Sequence, residues 1–104
     1  MSCAADLVKQ HRFLMLSKSW CSDCHYAINI FKKYNVLDKI YLLELDKMNT
    51  VESLKLEKEF TAISGRKWVP SLFFNEKFWG NETSLKKLES LDQTEAEFKR
   101  VGLL

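Results

Sequence analysis

The sequence has little proline, glycine, cysteine or net charge. Its 104 residues include one proline, three glycines and three cysteines, and the formal net charge is +2. So small a net charge argues against a disordered charged tail and against an arm that binds nucleic acid. With 46% hydrophobic and 29% charged residues, the composition is typical of a globular protein. The length predicts a single domain over residues 1–104.

Long apolar runs are also missing. No segment approaches the roughly 20 consecutive apolar residues that a membrane-spanning helix needs. Residues 1–10 include Asp6 and Lys9 and lack the apolar stretch of a signal peptide. We therefore expect a soluble, cytoplasmic protein that is a monomer and has neither a membrane nor a nucleic acid as partner.

The three cysteines are an odd number, and two of them, Cys21 and Cys24, are spaced C-x-x-C. This does not resemble the disulfide framework of a secreted protein, and in a reducing compartment the spacing indicates redox or metal chemistry. Cys3 is expected to be a free thiol near a mobile N-terminus.

The apolar pattern predicts alternating strands and helices. Helices are expected at 4–11, from Cys21 to near Asn35, at 50–64, and at 82–101 with a break near 91–92; strands are expected at 12–16, 39–45, 71–74 and 77–79. Gly65 suits the end of the third helix, and Asn75 and Glu76 form the turn of a hairpin. This order fits an α/β, thioredoxin-like fold in which helices flank both faces of a four-stranded mixed sheet.

Cys21 and Cys24 lie where the first strand leads into a helix. At the helix N-terminus, backbone N–H groups and the helix dipole favour a thiolate, so Cys21 is the candidate nucleophile. Lys18 adds a nearby cation, whereas the carboxylate of Asp23 opposes the thiolate. Cys24, one turn further on, is the candidate resolving thiol that releases a mixed disulfide from Cys21.

Three other readings of the C-x-x-C spacing stay open at this point. The first is a pair of unpaired cysteines that merely pack in the core. C-x-x-C followed by His25 also matches a c-type haem attachment site, although the strand patterns do not suit a mostly helical haem protein. A zinc site needs two further ligands from Cys3, His11, His25 or a carboxylate, and none has a second knuckle-like spacing. We therefore expect no metal and place His25 on the helix surface.

A second signal is Trp68-Val69-Pro70, just before the third strand. Elsewhere, an X-Pro pair before a strand is usually only a loop stop. Here it falls where a thioredoxin-like fold holds a cis proline against the dithiol. The backbone of Val69 is then available to pair with an extended peptide or with glutathione.

Three segments resemble the consensus blocks of the glutaredoxins: residues 17–24 (SKSWCSDC), 65–70 (GRKWVP) and 79–84 (WGNETS). The resemblance spans about residues 8–104 and is greatest to a divergent fungal dithiol subgroup with a W-C-x-D-C active site. It implies a thiol-disulfide oxidoreductase that uses glutathione as cosubstrate to reduce protein disulfides or glutathionylated proteins.

The resemblance also implies the residues that contact glutathione. Lys18 and one of Arg66 or Lys67 would face the glycine carboxylate of glutathione. Val69, next to Pro70, would hydrogen-bond the cysteinyl backbone. Thr83 and Ser84 would hold the glutamyl end, and a helix N-terminus with hydroxyl side chains is chemically suited to a carboxylate.

Several residues depart from the usual glutaredoxin pattern. Ser22 and Asp23 replace a proline and an aromatic, and Trp68 replaces a threonine. Asn81 replaces a second glycine, and residues 83–84 replace an acidic pair. Trp68 is expected to narrow the groove and Asp23 to repel glutathione carboxylates, with Trp20 also modulating the site. We therefore predict weak activity on standard glutathione substrates.

Three alternatives to the glutathione-dependent enzyme stay open. Ser22 resembles the residue found in glutaredoxins that bind an iron–sulfur cluster with one protein thiolate and glutathione per subunit. A thioredoxin-like protein disulfide reductase is the closest variant. The third alternative is a non-catalytic interaction domain that grips a partner through Trp20, Trp68 and Trp79.

Overall fold

In a computed structural model of the chain, which describes residues 3–104, the sequence forms five α-helices and four β-strands. The predicted domain also includes Met1 and Ser2, which lie outside the described residues. The helices are α1 (Ala4–Gln10), α2 (Ser22–Lys33), α3 (Thr50–Ser64), α4 (Glu82–Ser90) and α5 (Thr94–Val101). The strands are β1 (Phe13–Ser17), β2 (Tyr41–Glu44), β3 (Ser71–Phe74) and β4 (Lys77–Gly80).

The strands form one mixed sheet in the order β2-β1-β3-β4. β1 pairs parallel with β2 and antiparallel with β3, and β3 pairs antiparallel with β4. All residues of β1 and β3 are buried, as expected for central strands covered on both faces. The predicted thioredoxin-like fold is confirmed.

Each face of the sheet has its own apolar core. On one face, α2, α4 and α5 contribute residues that include Phe31, Leu85 and Phe98. On the other face, α1 and α3 contribute Leu7 and Phe60 among others. The helices cover both faces of the sheet. A substrate can therefore approach the sheet only at the loops that follow or precede its strands.

Local turn chemistry agrees with the sequence predictions. Asn75 and Glu76 both have positive φ, at 56° and 70°, which is the backbone of a two-residue hairpin turn. Gly65 ends α3 with φ of 77°, a conformation that glycine adopts without the steric cost of a side chain. The break in the last helical region falls between α4 and α5, as predicted.

Two predictions differ from the structure in detail. The strand predicted at 39–45 is only Tyr41–Glu44, because short 3₁₀ turns, Leu37–Lys39 and Leu45–Lys47, occupy its ends. Ile63, assigned to the apolar stripe of α3, is 41% exposed. The buried residues of α3 are Leu56 and Phe60, so the last helical turn extends beyond the contact with the sheet.

Between residues 3 and 104, every helix is too short or too polar to span a bilayer.

Candidate active site

Cys21 is the N-cap of α2, directly after the loop that follows β1. Its Sγ accepts a hydrogen bond from the backbone N–H of Cys24 at 3.2 Å, and its own N–H donates to the Lys18 carbonyl at 3.1 Å. Cys21 is 9% exposed and Cys24 is 1% exposed. A backbone N–H aimed at the sulfur favours the thiolate form of a capping cysteine.

Burial raises the pKa of the Cys24 thiol to about 12, and its hydrogen bond with Cys21 acts in the same direction. Removing a thiolate from water is unfavourable, so Cys24 keeps its proton at neutral pH. The two cysteines therefore have different environments: Cys21 caps the helix and keeps a small exposed fraction, whereas Cys24 is almost fully buried within the first turn.

The Val69–Pro70 peptide bond is cis, as predicted, and lies beside Cys21. The Val69 carbonyl oxygen is 3.7 Å from the Cys21 Sγ, within reach of the thiol proton. Pro70 is buried and Val69 half-buried. The loop is held by Ser71, whose hydroxyl donates to the Trp68 carbonyl at 2.6 Å.

The loop before Cys21 is tethered by Asp46, a residue that the sequence analysis missed. The Ser19 N–H donates to Asp46 Oδ1 at 2.9 Å, and the Ser19 hydroxyl donates to the other oxygen of the same carboxylate. These bonds hold the pKa of Asp46 below its usual value. Ser19 has a second contact through its carbonyl oxygen, which lies 2.7 Å from Nε2 of the exposed His25 ring.

Trp20 and Trp68 form an exposed aromatic rim, with 70% and 69% of their surface accessible. The Lys18 Nζ lies 5.6 Å from the Trp20 ring centroid, and the Arg66 guanidinium lies 5.6 Å from that of Trp68. Both are cation–π distances.

Trp79, the third aromatic of the interaction-domain alternative, is partly buried, as is usual for an aromatic beside the hairpin. It stacks on Phe74 with ring centroids 5.0 Å apart, and its Nε1–H donates to Glu97 Oε2 at 2.7 Å. The apolar ring thus packs on the sheet while the indole N–H has an anionic acceptor.

Two of the predicted glutathione-binding cations converge on a carboxylate of α3. Lys18 Nζ is 3.1 Å from Glu57 Oε2, and Lys67 Nζ is 4.0 Å from Glu57 Oε1. All three line a small concavity beside Val69 and Trp68. Glu57 could not be predicted from the sequence. It lies in a run of charged helix residues, Glu57-Lys58-Glu59, which is typical of a solvent-exposed helix face.

The N-terminus of α4 already has a side-chain cap. Asn81 Oδ1 accepts from the N–H groups of Thr83 and Ser84 at 3.0 and 3.4 Å, and the Ser84 hydroxyl faces the Asn81 N–H at 3.3 Å. This is a capping box. A β-carbon at Gly80 would collide with the Ser84 side chain, so glycine is needed there. Arg66 lines the same concavity as Asn81, Thr83 and Ser84.

Asp23 lies on the first turn of α2, and its carboxylate is 4.0 Å from Lys86 Nζ of α4. This cation partly offsets the repulsion that was predicted for Asp23.

Within residues 3–104, no three His, Cys, Asp or Glu side chains converge as metal ligands would.

The comparisons with known proteins point in one direction. The family model for glutaredoxins matches residues 13–79. The chain is 36% identical over 101 residues to glutaredoxin-8 of Saccharomyces cerevisiae, covering 97% of this chain and 93% of the relative. It is 29% identical over 92 residues to glutaredoxin-1 of the same yeast, covering 86% and 82%.

Solved structures agree with these sequence relatives. The solution structure of yeast dithiol glutaredoxin Grx8 gives a TM-score of 0.83 at 35% identity, covering 95% of this chain and 91% of that one. A buckwheat glutaredoxin–glutathione complex gives a TM-score of 0.81 at 19% identity, covering 97% and 88%. The second likeness supports the fold only.

Proposed function

This chain belongs to the glutaredoxin family and is a thiol-disulfide oxidoreductase, and we propose that it reduces protein disulfides and protein–glutathione mixed disulfides with glutathione as cosubstrate. The observation that carries the proposal is the asymmetry of the dithiol. Cys21 caps the helix and is 9% exposed, whereas Cys24 lies one turn further along and is 1% exposed. A dithiol catalyst needs this division between an attacking and a resolving sulfur.

The first step belongs to Cys21. Its thiolate attacks one sulfur of the substrate disulfide, the substrate S–S bond breaks, and the leaving thiolate takes a proton from solvent. The negative charge on Cys21 before attack is favoured by the Cys24 N–H at 3.2 Å and by the N-terminal end of α2. The product of this step is a mixed disulfide on Cys21.

The second step belongs to Cys24. After losing its proton it attacks the Cys21 sulfur, which releases the second substrate thiol and leaves a Cys21–Cys24 disulfide. Two glutathione molecules then reduce this disulfide and are themselves oxidised to glutathione disulfide. For a glutathionylated protein, Cys21 takes up the glutathionyl group and a second glutathione removes it, so Cys24 is not required.

The substrate lies along the surface that connects two concavities, one beside Val69 and one at the N-terminus of α4, both of which Arg66 lines. We call this surface the groove. In our proposal, the backbone of Val69, beside Pro70, pairs with the extended substrate backbone. Lys18, Arg66 and Lys67 face the glycine end of glutathione. Thr83 and Ser84 face the glutamyl end, which requires the Asn81 side chain to yield their N–H groups.

We further propose that the protein works as a monomer in the cytoplasm, where glutathione keeps thiols reduced, and holds no resident metal. Brown colour and visible absorbance after anaerobic purification would instead support the iron–sulfur alternative suggested by Ser22.

The test uses glutathione redox buffers followed by thiol trapping and mass spectrometry. We expect a reversible Cys21–Cys24 disulfide with a potential of roughly −200 to −230 mV, in the glutaredoxin range. In the Cys24→Ser variant, glutathione should be trapped on Cys21. Absence of both species on Cys21 would reject the proposed mechanism and favour a non-catalytic interaction domain.

A further inference from the structure

Glu57 faces two of the cations that the family resemblance assigns to the glycine carboxylate of glutathione. Its two carboxylate oxygens face Lys18 at 3.1 Å and Lys67 at 4.0 Å. The Glu57 side chain is 18% exposed and that of Lys18 is 27% exposed, so this ion pair is partly shielded from solvent. The carboxylate that faces Lys18 and Lys67 is therefore provided by the protein itself.

A second carboxylate entering this concavity meets Glu57 as well as the two lysines. It must either displace Glu57 from Lys18 or share the cations at close range, and like charges at such distances repel. A neutral group meets no such repulsion, because Glu57 can accept a hydrogen bond from an amide or a hydroxyl group. A cationic group would instead face Lys18, Arg66 and Lys67, which line the same concavity. Glu57 thus lowers the positive charge of this concavity and weakens its attraction for an anion.

The opposite end of the groove has a similar arrangement. The Asn81 side chain accepts hydrogen bonds from the Thr83 and Ser84 N–H groups. A ligand carboxylate there would compete with an acceptor that the chain already provides. At both ends of the groove, the groups that would bind a ligand carboxylate are therefore already paired with side chains of the protein.

We propose that Glu57 is a specificity-determining residue that weakens binding of the glycine carboxylate of glutathione and shifts preference toward protein disulfides flanked by neutral groups. This inference rests on the proposed function, since it assigns a substrate preference to the same groove. Glu57 takes no part in the thiol chemistry. It acts only through the charge that it adds beside Lys18.

The test measures binding separately from turnover. In a Cys21→Ser background, S-methylglutathione is titrated by calorimetry against the parent and against the added Glu57→Gln change. The same titrations are repeated with S-methylglutathione whose glycine carboxylate is converted to an amide. We expect Glu57→Gln to lower Kd for the carboxylate ligand about fivefold, typical of one partly exposed charge interaction, and to leave Kd for the amide ligand unchanged.

The matched control is Glu95→Gln, which removes the same charge and also breaks a lysine ion pair, the exposed Glu95–Lys99 contact at 3.2 Å on α5. It should leave both Kd values unchanged. Raising the salt concentration should reduce the Glu57→Gln effect, because exposed charges are screened over about 10 Å at 0.1 M ionic strength. Equal tightening of both ligands, no tightening, or weaker binding of the carboxylate ligand would overturn the proposal.

Turnover of a glutathionylated peptide by the unmodified protein is the separate test of the proposed function. A protein that binds as expected but fails to reduce this peptide would retain the Glu57 assignment and lose the catalytic one. A protein that reduces the peptide while Glu57→Gln leaves the Kd unchanged would show the reverse.

Discussion

The sulfur of Cys21 accepts a hydrogen bond from the backbone N–H of Cys24 at 3.2 Å, so the candidate nucleophile is also the cap of its own helix. The start of α2 and the thiol chemistry therefore depend on the same atom. Capping by a charged acceptor is stronger than capping by a neutral one, which links formation of the thiolate to stabilisation of the helix.

The two cysteines should fail in different ways when replaced. Cys21→Ser should lose all measurable reductase activity, because serine is a poor nucleophile at neutral pH. Cys24→Ser should lose reduction of protein disulfides but keep reduction of glutathionylated peptides. Coupled assays on one peptide substrate of each kind distinguish these outcomes, and equal loss in both assays for Cys24→Ser would contradict the assigned roles.

Alkylation should distinguish the two cysteines, because the Cys24 thiol is almost fully buried and its pKa is raised. The pKa of Cys24 is raised to about 12 by burial, so below that pH it is protonated, with roughly one part in ten thousand as thiolate at pH 8. We expect iodoacetamide at pH 8 to modify Cys21 at least about 100-fold faster than Cys24. Peptide mass spectrometry over time measures both rates, and comparable rates would contradict the prediction.

Asn81 should couple helix stability to ligand binding. Asn81→Ala removes the cap of α4 and should cost about 1 kcal/mol in the free energy of unfolding. It also frees the Thr83 and Ser84 N–H groups, so S-methylglutathione should bind more tightly. Urea unfolding and calorimetry measure the two effects.

The matched control for this prediction is Asn49→Ala. Asn49 caps α3 in the same way, with Oδ1 accepting from Val51 and Glu52 N–H groups at 2.9 and 3.3 Å. Its loss should cost similar stability with no change in ligand affinity. An Asn81→Ala protein that binds the ligand no more tightly than this control would contradict a carboxylate site at α4.

Local patterns along the sequence predicted the fold and the dithiol. The C-x-x-C pair, Gly65 and the Asn75–Glu76 turn each depend on neighbours within a few residues, and all agree with the structure. The order of strands and helices then limits the possible topologies. The family resemblance and the activity agree with the relatives described above.

Contacts between distant residues could not be predicted in this way. Glu57 and Lys18 are on different elements, and nothing in the α3 sequence separates Glu57 from its charged neighbours. Asp46 binds Ser19 from a 3₁₀ turn after another strand. The Asn81 cap, in contrast, involves only neighbouring residues, and an asparagine at a helix start is a recognised capping signal. In the family resemblance, Asn81 stands only as the replacement of a glycine.

Glu89 joins three helices on the sheet face that carries α2, α4 and α5. Its carboxylate accepts hydrogen bonds from Lys33 at 2.7 Å, Tyr34 at 2.8 Å and Thr94 at 2.6 Å. The Lys33 ammonium and then the Thr94 hydroxyl lower the pKa of Glu89 from 4.5 to about 2. A lowered pKa in the folded state stabilises the fold above the unfolded pKa, and this stabilisation is lost as pH falls toward the folded pKa.

We therefore expect Glu89→Gln to lower the free energy of unfolding by about 2 kcal/mol at pH 7. The difference from the unmodified protein should shrink below about pH 4.5 and be largely gone near pH 2, where the carboxyl is protonated in the unfolded state and about half protonated in the folded state. Glu95→Gln, which breaks only an exposed ion pair, should cost less than about 0.5 kcal/mol. Urea unfolding at pH 7, 4.5, 3 and 2 measures this. A Glu89→Gln deficit that stayed constant across this range would mean that packing or hydrogen-bond geometry, and not the charge of Glu89, holds the three helices together.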